Sequence, residues 1–197
     1  MHIKDGRMAN YEKLIGGNRS FYERNADFKE LAGGQKPEHI VVACSDSRVA
    51  PEIILNARLG ELFVIRSAGE VIDDAELATI EYGVVHLGIK SIIMLAHTNC
   101  GAVAEAQKLL RESEAGKLHF DERAANSKLD VMAYRIYKNI AGKSNNSVDS
   151  RSAALDNLMA QMKILEDYEP IRDAIKNGLR VISGMYDIST GRVELYV

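Results

Sequence analysis

The sequence predicts an α/β fold: a Rossmann-like central parallel sheet of about four strands with an antiparallel edge strand, flanked by helices and preceded by an N-terminal helical arm. Three observations predict it. Short β-branched runs recur at 39–43, 62–65, 91–96 and 179–183, as in strands buried on both faces. Segments with helical spacing lie between these runs, and that alternation implies parallel strands joined by crossovers. The runs at 186–188 and 193–196 flank Asp187-Ile188-Ser189-Thr190-Gly191-Arg192, which reads as a hairpin turn.

Each element follows in chain order. Residues 8–31 mix apolar and charged positions as a helical arm, so that 1–34 form the arm and 35–197 the α/β core of one domain spanning 1–197. Gly33-Gly34-Gln35-Lys36-Pro37 turns the chain into the first strand. Asp73-Asp74 supplies an acidic start to a helix over roughly 74–88, where Leu77, Ile80, Val84 and Leu87 recur at helical spacing. Further helices are predicted around 102–112, 128–140 and 150–177, the last broken at Pro170. Residues 141–152, rich in Ser, Asn and Gly, read as a flexible loop.

Composition narrows the function classes. A chain of 197 residues, 46% hydrophobic and 27% charged, is long enough for one substantial core. A net charge of −3 gives no electrostatic reason for nucleic acid or an anionic membrane as partner. No uncharged apolar run approaches the ~20 residues of a membrane span. The polar start Met1-His2-Ile3-Lys4-Asp5-Gly6-Arg7 lacks a signal-peptide core, so a cytoplasmic location is expected. In that compartment the Asn18-Arg19-Ser20 and Asn145-Asn146-Ser147 patterns stay unglycosylated, and metal ligation or free thiols are favoured over a disulfide between the two cysteines.

The chemistry concentrates at two strand ends. Cys44, in Cys44-Ser45-Asp46-Ser47-Arg48, follows the first run, and His97 and Cys100, in His97-Thr98-Asn99-Cys100-Gly101, follow the third. An α/β sheet places its sites at the carboxyl ends of its strands. If those strands are neighbours, two thiolates and an imidazole converge as three zinc ligands, with a fourth position left for water or substrate. Cys100 also opens a helix, whose amino terminus favours a thiolate. Two residues past the first cysteine, Asp46 either coordinates zinc or accepts a hydrogen bond from its water, and Arg48 holds it ionised. The bland alternatives are half-buried cysteines with an unrelated histidine, and a capping aspartate with a surface arginine. Ser45 and Ser47 read as turn or cap residues, since no Gly-x-Ser-x-Gly elbow surrounds them. Tyr82 and His86 sit one helical turn apart, opposite the Leu77/Ile80/Val84 stripe, a pattern that by itself describes a solvated face.

Taken together, Cys44-Ser45-Asp46-Ser47-Arg48-Val49 and His97-Thr98-Asn99-Cys100-Gly101 resemble the β-class carbonic anhydrases. The likeness extends to Gln35-Lys36-Pro37, to Phe63-Val64-Ile65-Arg66-Ser67-Ala68-Gly69 (with Ser67 where Asn is more usual), to the helix at 80–87, and to 182–191. It covers about 10–197, and only 111–150 looks individual to this chain. The resemblance implies one zinc per chain on Cys44, His97 and Cys100, with Asp46 and Arg48 as the dyad that positions a zinc-bound hydroxide. It implies a hydrogen-bond donor to substrate or bicarbonate at Gln35, Tyr82 lining the pocket from a subunit interface of a homodimer or multiple of dimers, and His86 as a candidate proton shuttle.

The activity so implied is reversible hydration of carbon dioxide to bicarbonate and a proton, a lyase reaction on a small molecule. Bicarbonate-regulated relatives carry Trp three residues before the first cysteine, where this chain has Val41, so an open, water-bearing site is expected with Asp46 off the metal. Two alternatives use the same fold: a carbon disulfide or carbonyl sulfide hydrolase, and a non-catalytic zinc protein, for which an activating dyad would be superfluous. A dinucleotide-binding role lacks its Gly-x-Gly-x-x-Gly.

Overall fold

The computed structural model describes residues 7–24, 28–115, 127–143 and 149–196. They form two compact units, divided after Gln35. The first contains α1 (Arg7–Arg24) and the single-turn α2 (Phe28–Leu31), with Phe21 and Phe28 ring centroids 5.7 Å apart. Residues 25–27 of the predicted arm lie outside the described residues.

In the second unit five strands form one sheet in the order β2-β1-β3-β4-β5. They are β1 (His39–Cys44), β2 (Leu62–Ser67), β3 (Ser91–His97), β4 (Arg180–Asp187) and β5 (Arg192–Tyr196). The first four are parallel and β5 closes antiparallel on β4, as the alternation of runs and helices predicts. The separate runs at 179–183 and 186–188 prove to be one strand. Gly184 carries the backbone through between them, packed so tightly that an added Cβ would stand 2.9 Å from Leu195 Cδ2. Gly191, at φ 73°, then closes the hairpin by donating to the Asp187 carbonyl at 2.8 Å.

The helices are distributed unequally over the sheet. Ile40, Val42, Cys44, Ile92, Met94 and Ala96 face a large core that includes Ile80, Val103, Ile136, Leu158 and Ile171. These last five come from α4 (Asp74–Val85), α5 (Gly101–Glu114), α6 (Lys128–Ile140), α7 (Ser150–Asp167) and α8 (Glu169–Lys176). The alternate side chains Val41, Ala43 and Leu95 pack with Val49 and with Ile54 of the four-residue α3 (Pro51–Ile54). Period-2 alternation in a strand sorts these residues between two cores.

Capping chemistry sets the helix starts. Asp73 and Glu76 form a reciprocal capping box on α4. Asp149 accepts from the Arg151 and Ser152 amides at 2.9 and 3.0 Å, which starts α7 inside the loop expected at 141–152. Residues 144–148 of that loop lie outside the described residues. The chain breaks at Tyr168 rather than at Pro170, because proline is accommodated in the first turn of the new helix α8. Gly83 lets α4 lie close on β1: a Cβ there would come 2.8 Å from Ile40 Cδ1.

Candidate metal centre

β1 and β3 are hydrogen-bonded neighbours in parallel register, so their carboxyl ends emerge side by side. Cys44 is the last residue of β1 and His97 the last of β3. Cys100 follows through a short turn in which Asn99 takes a left-handed φ of 57°, and it serves as the N-cap of α5. The ligand atoms of Cys44, His97 and Cys100 all lie within 4.8 Å of one another, and all three residues are buried.

These atoms suit zinc. Cys44 Sγ and Cys100 Sγ are 3.9 Å apart and form no disulfide, while two sulfurs on a tetrahedral zinc stand about 3.8 Å apart. The His97 ring engages the Thr98 carbonyl through Nδ1 at 2.9 Å. Its buried Nε2 finds no hydrogen-bond partner among the described residues. With Nδ1 donating, the Nε2 lone pair is free and oriented for a metal.

Charge divides unequally between the two thiols. Cys44 is held below the ordinary thiol range, chiefly because Cys100 donates to it, helped by the Gly69 amide at 3.3 Å and opposed by burial. Cys100 is pushed far up, by sharing that proton and by burial. Two thiolates this close need a cation between them, and without one the two sulfurs share a proton.

Asp46 and Arg48 stand beside the thiols. Arg48 grips Asp46 in a two-pronged contact, Nε to Oδ1 at 2.9 Å and Nη2 to Oδ2 at 2.7 Å, and its backbone amide adds a third bond at 2.9 Å. The guanidinium holds the Asp46 carboxyl well below the usual range. Arg48 Nη2 also reaches the Asn99 carbonyl at 3.3 Å, linking the dyad to the Cys100 turn.

Of the other predicted residues, Tyr82 (46% exposed) has the tilted rings of Phe63 and His86 beside it, with centroids 6.3 and 5.2 Å away. His86 is the exposed C-cap of α4. Gln35 is exposed at the end of the first unit. Sequence reasoning missed Arg66, Gly69 and Glu70. Gly69 takes φ 68° where a Cβ would meet Ile136 Cδ1 at 2.8 Å, a demand that its place after a strand could have signalled. Glu70 is 1% exposed, and its carboxyl is raised to about 8 by burial and by the Cys44 charge, against a lowering bond from Asn157.

Among the described residues no helix is long and apolar enough to cross a membrane. The carbonic anhydrase family model matches residues 39–193. Over 105 residues the chain is 45% identical to Carbonic anhydrase 2 of Mycobacterium tuberculosis, covering 53% of this chain and 49% of that protein. It thus spans about half the length of that relative. It is 32% identical over 196 residues to the carbonic anhydrase of Synechococcus elongatus, covering 92% of this chain and 70% of the other. The solved structure of the β-carbonic anhydrase CcaA superposes with a TM-score of 0.76 at 28% identity, over 95% of this chain and 88% of that one. The family match runs from β1 into β5 through all three metal-site residues, and the chain belongs to the carbonic anhydrase family, in its β class.

Proposed function

We propose that the protein catalyses the reversible hydration of carbon dioxide to bicarbonate and a proton, holding one zinc on Cys44 Sγ, His97 Nε2 and Cys100 Sγ. The carrying observation is the buried, partnerless His97 Nε2 grouped with the two thiols beside an arginine-held aspartate. Zinc, when bound, supplies a Lewis acid that makes water a nucleophile near neutral pH and leaves a fourth position for it.

The chain's own residues then do the following. Asp46, kept ionised by Arg48, accepts a hydrogen of the attacking oxygen and so aims its lone pair at carbon dioxide. Both Asp46 oxygens are engaged by Arg48, which favours an open metal site over one closed by the carboxylate. Gln35 keeps the role that the family likeness implies, a donor to substrate or bicarbonate. The exposed face carrying Tyr82 and Val85 is covered by a second copy in a homodimer or multiple of dimers, and His86 at its end relays protons to solvent. The expected location is the cytoplasm.

Metal analysis with stopped-flow hydration of wild type and Cys44→Ser tests this reading. One zinc per chain in wild type, with hydration lost in the variant, supports it. Equal rates, or no zinc, overturn it. A parallel sulfide-release assay separates carbon dioxide from carbon disulfide or carbonyl sulfide as substrate.

A further inference from the structure

Beyond β2 the chain enters a 3-10 turn, Ala68–Glu70, left-handed at two consecutive residues: Gly69 at φ 68° and Glu70 at φ 44°. Glycine adopts that region freely, whereas glutamate does so only when its surroundings hold it there.

Side-chain amides on α6 and α7 hold it. Asn157 Nδ2 donates to the Gly69 carbonyl at 2.8 Å and to Glu70 Oε1 at 3.2 Å. Its Oδ1 accepts from Asn139 Nδ2 at 2.9 Å and Gln161 Nε2 at 3.4 Å. Gln161 Oε1 in turn accepts from the Ile72 amide at 2.8 Å. Asn157 and Gln161 are 0% and 1% exposed, so each bond replaces one that water would otherwise make. One branch of the cluster reaches the metal centre, because the turn it clamps aims the Gly69 amide at Cys44 Sγ, 3.3 Å away.

We propose that Asn157 is a positioning residue for the metal centre: it clamps the Gly69–Glu70 turn so that the Gly69 amide donates to the Cys44 sulfur. An N–H···S bond draws charge from the thiolate, so Asn157 fixes both where Cys44 Sγ points and how strongly it donates to the metal. This inference rests on the zinc site of the proposed function.

The test compares wild type, Asn157→Asp and Leu158→Ala. Asn157→Asp keeps the shape but sets an oxygen against the Gly69 carbonyl and the Glu70 carboxyl. Leu158→Ala empties a fully buried position next to it and removes none of the clamp's hydrogen bonds. Zinc affinity is measured by chelator competition, thiolate-to-metal charge-transfer bands in cobalt-substituted protein, and scalar coupling between the Gly69 amide proton and the metal in 113Cd-substituted protein. Wild type is expected to show the coupling. Asn157→Asp should lose it, shift the bands and bind zinc about 10-fold more weakly. Leu158→Ala should lower Tm with coupling and bands unchanged. If Asn157→Asp does not fold, Asn139→Ala, which removes a donor orienting Asn157, should give the same changes in smaller size. A metal-loaded wild type without the coupling, or a folded clamp variant with coupling, bands and affinity intact, overturns the inference alone. A wild type that binds no zinc overturns the carbonic anhydrase reading with it.

Discussion

Arg66 donates from Nε to the Cys44 carbonyl at 3.1 Å, and from Nη2 to the Asp46 carbonyl at 2.7 Å. One side chain of β2 therefore holds the backbone on both sides of Ser45, spacing the Cys44 thiol against the carboxylate proposed to orient the nucleophile. Arg66→Ala leaves all three ligands in place but frees Asp46 to drift. Misplacement by about 1 Å costs on the order of 100-fold in rate. The expected outcome is one zinc per chain by metal analysis with hydration down roughly 10- to 100-fold by stopped flow. Lost zinc and lost rate in equal proportion would instead make Arg66 a support of the metal itself.

Asp46→Asn keeps the size of the side chain and removes its charge. Arg48 then loses a charge-assisted fork, and the substituted amide presents donors where the attacking oxygen needs an acceptor. Hydration should fall about 100-fold or more, with zinc content unchanged. Because Arg48 holds the Asp46 carboxyl below the usual range, wild type keeps it ionised well into acid. The stability this pair contributes is present above the ordinary carboxylate pKa and is lost only as pH falls through the depressed native value. Arg48→Ala should move the onset of acid loss upward, which a pH series of rates and unfolding midpoints would show.

The grouping of Cys44, His97 and Cys100 was legible because its chemistry is local. A cysteine ending one β-branched run and a His-x-x-Cys ending another need only adjacent strands to meet, and β1 and β3 are paired. Helix starts were legible where a cap announces them, as at Asp73. The clamp behind the site was not. Asn157 and Gln161 are polar residues one turn apart on a helix, a spacing that reads as a solvated face, and their partners Gly69 and Ile72 lie far away in the chain. Nor does sequence show that the Gly69 amide reaches the Cys44 sulfur, since that depends on the left-handed turn at 69–70.

Two thiolates cancel the formal charge of a divalent zinc, whereas three neutral imidazoles would leave it whole. The water it activates should therefore be a weaker acid than in a three-histidine site. Hydration by this protein is expected to rise across roughly pH 6 to 9 in saturating buffer. A flat profile over that span would count against this reading of the thiolates.

Glu70 yields a prediction about stability rather than rate. Its carboxyl is raised from 4.5 to about 8 by burial and the Cys44 charge, so it is protonated in the native chain where the unfolded chain has lost its proton. Between those values the native state binds more protons than the unfolded state, and stability must fall as pH rises, by up to ~1.4 kcal/mol per pH unit. Below the window both states are protonated, and above it both are ionised, so the effect is flat on either side. Glu70→Gln keeps an oxygen for Asn157 Nδ2 and cannot ionise. Urea unfolding of wild type and Glu70→Gln at pH 5 and pH 8.5 should show the variant gaining on wild type as pH rises. Titrating groups remote from Glu70 affect both proteins alike, so the difference reports this carboxyl together with the thiols it faces. Parallel pH dependences in the two proteins would mean that Glu70 is already ionised in the native state at pH 5.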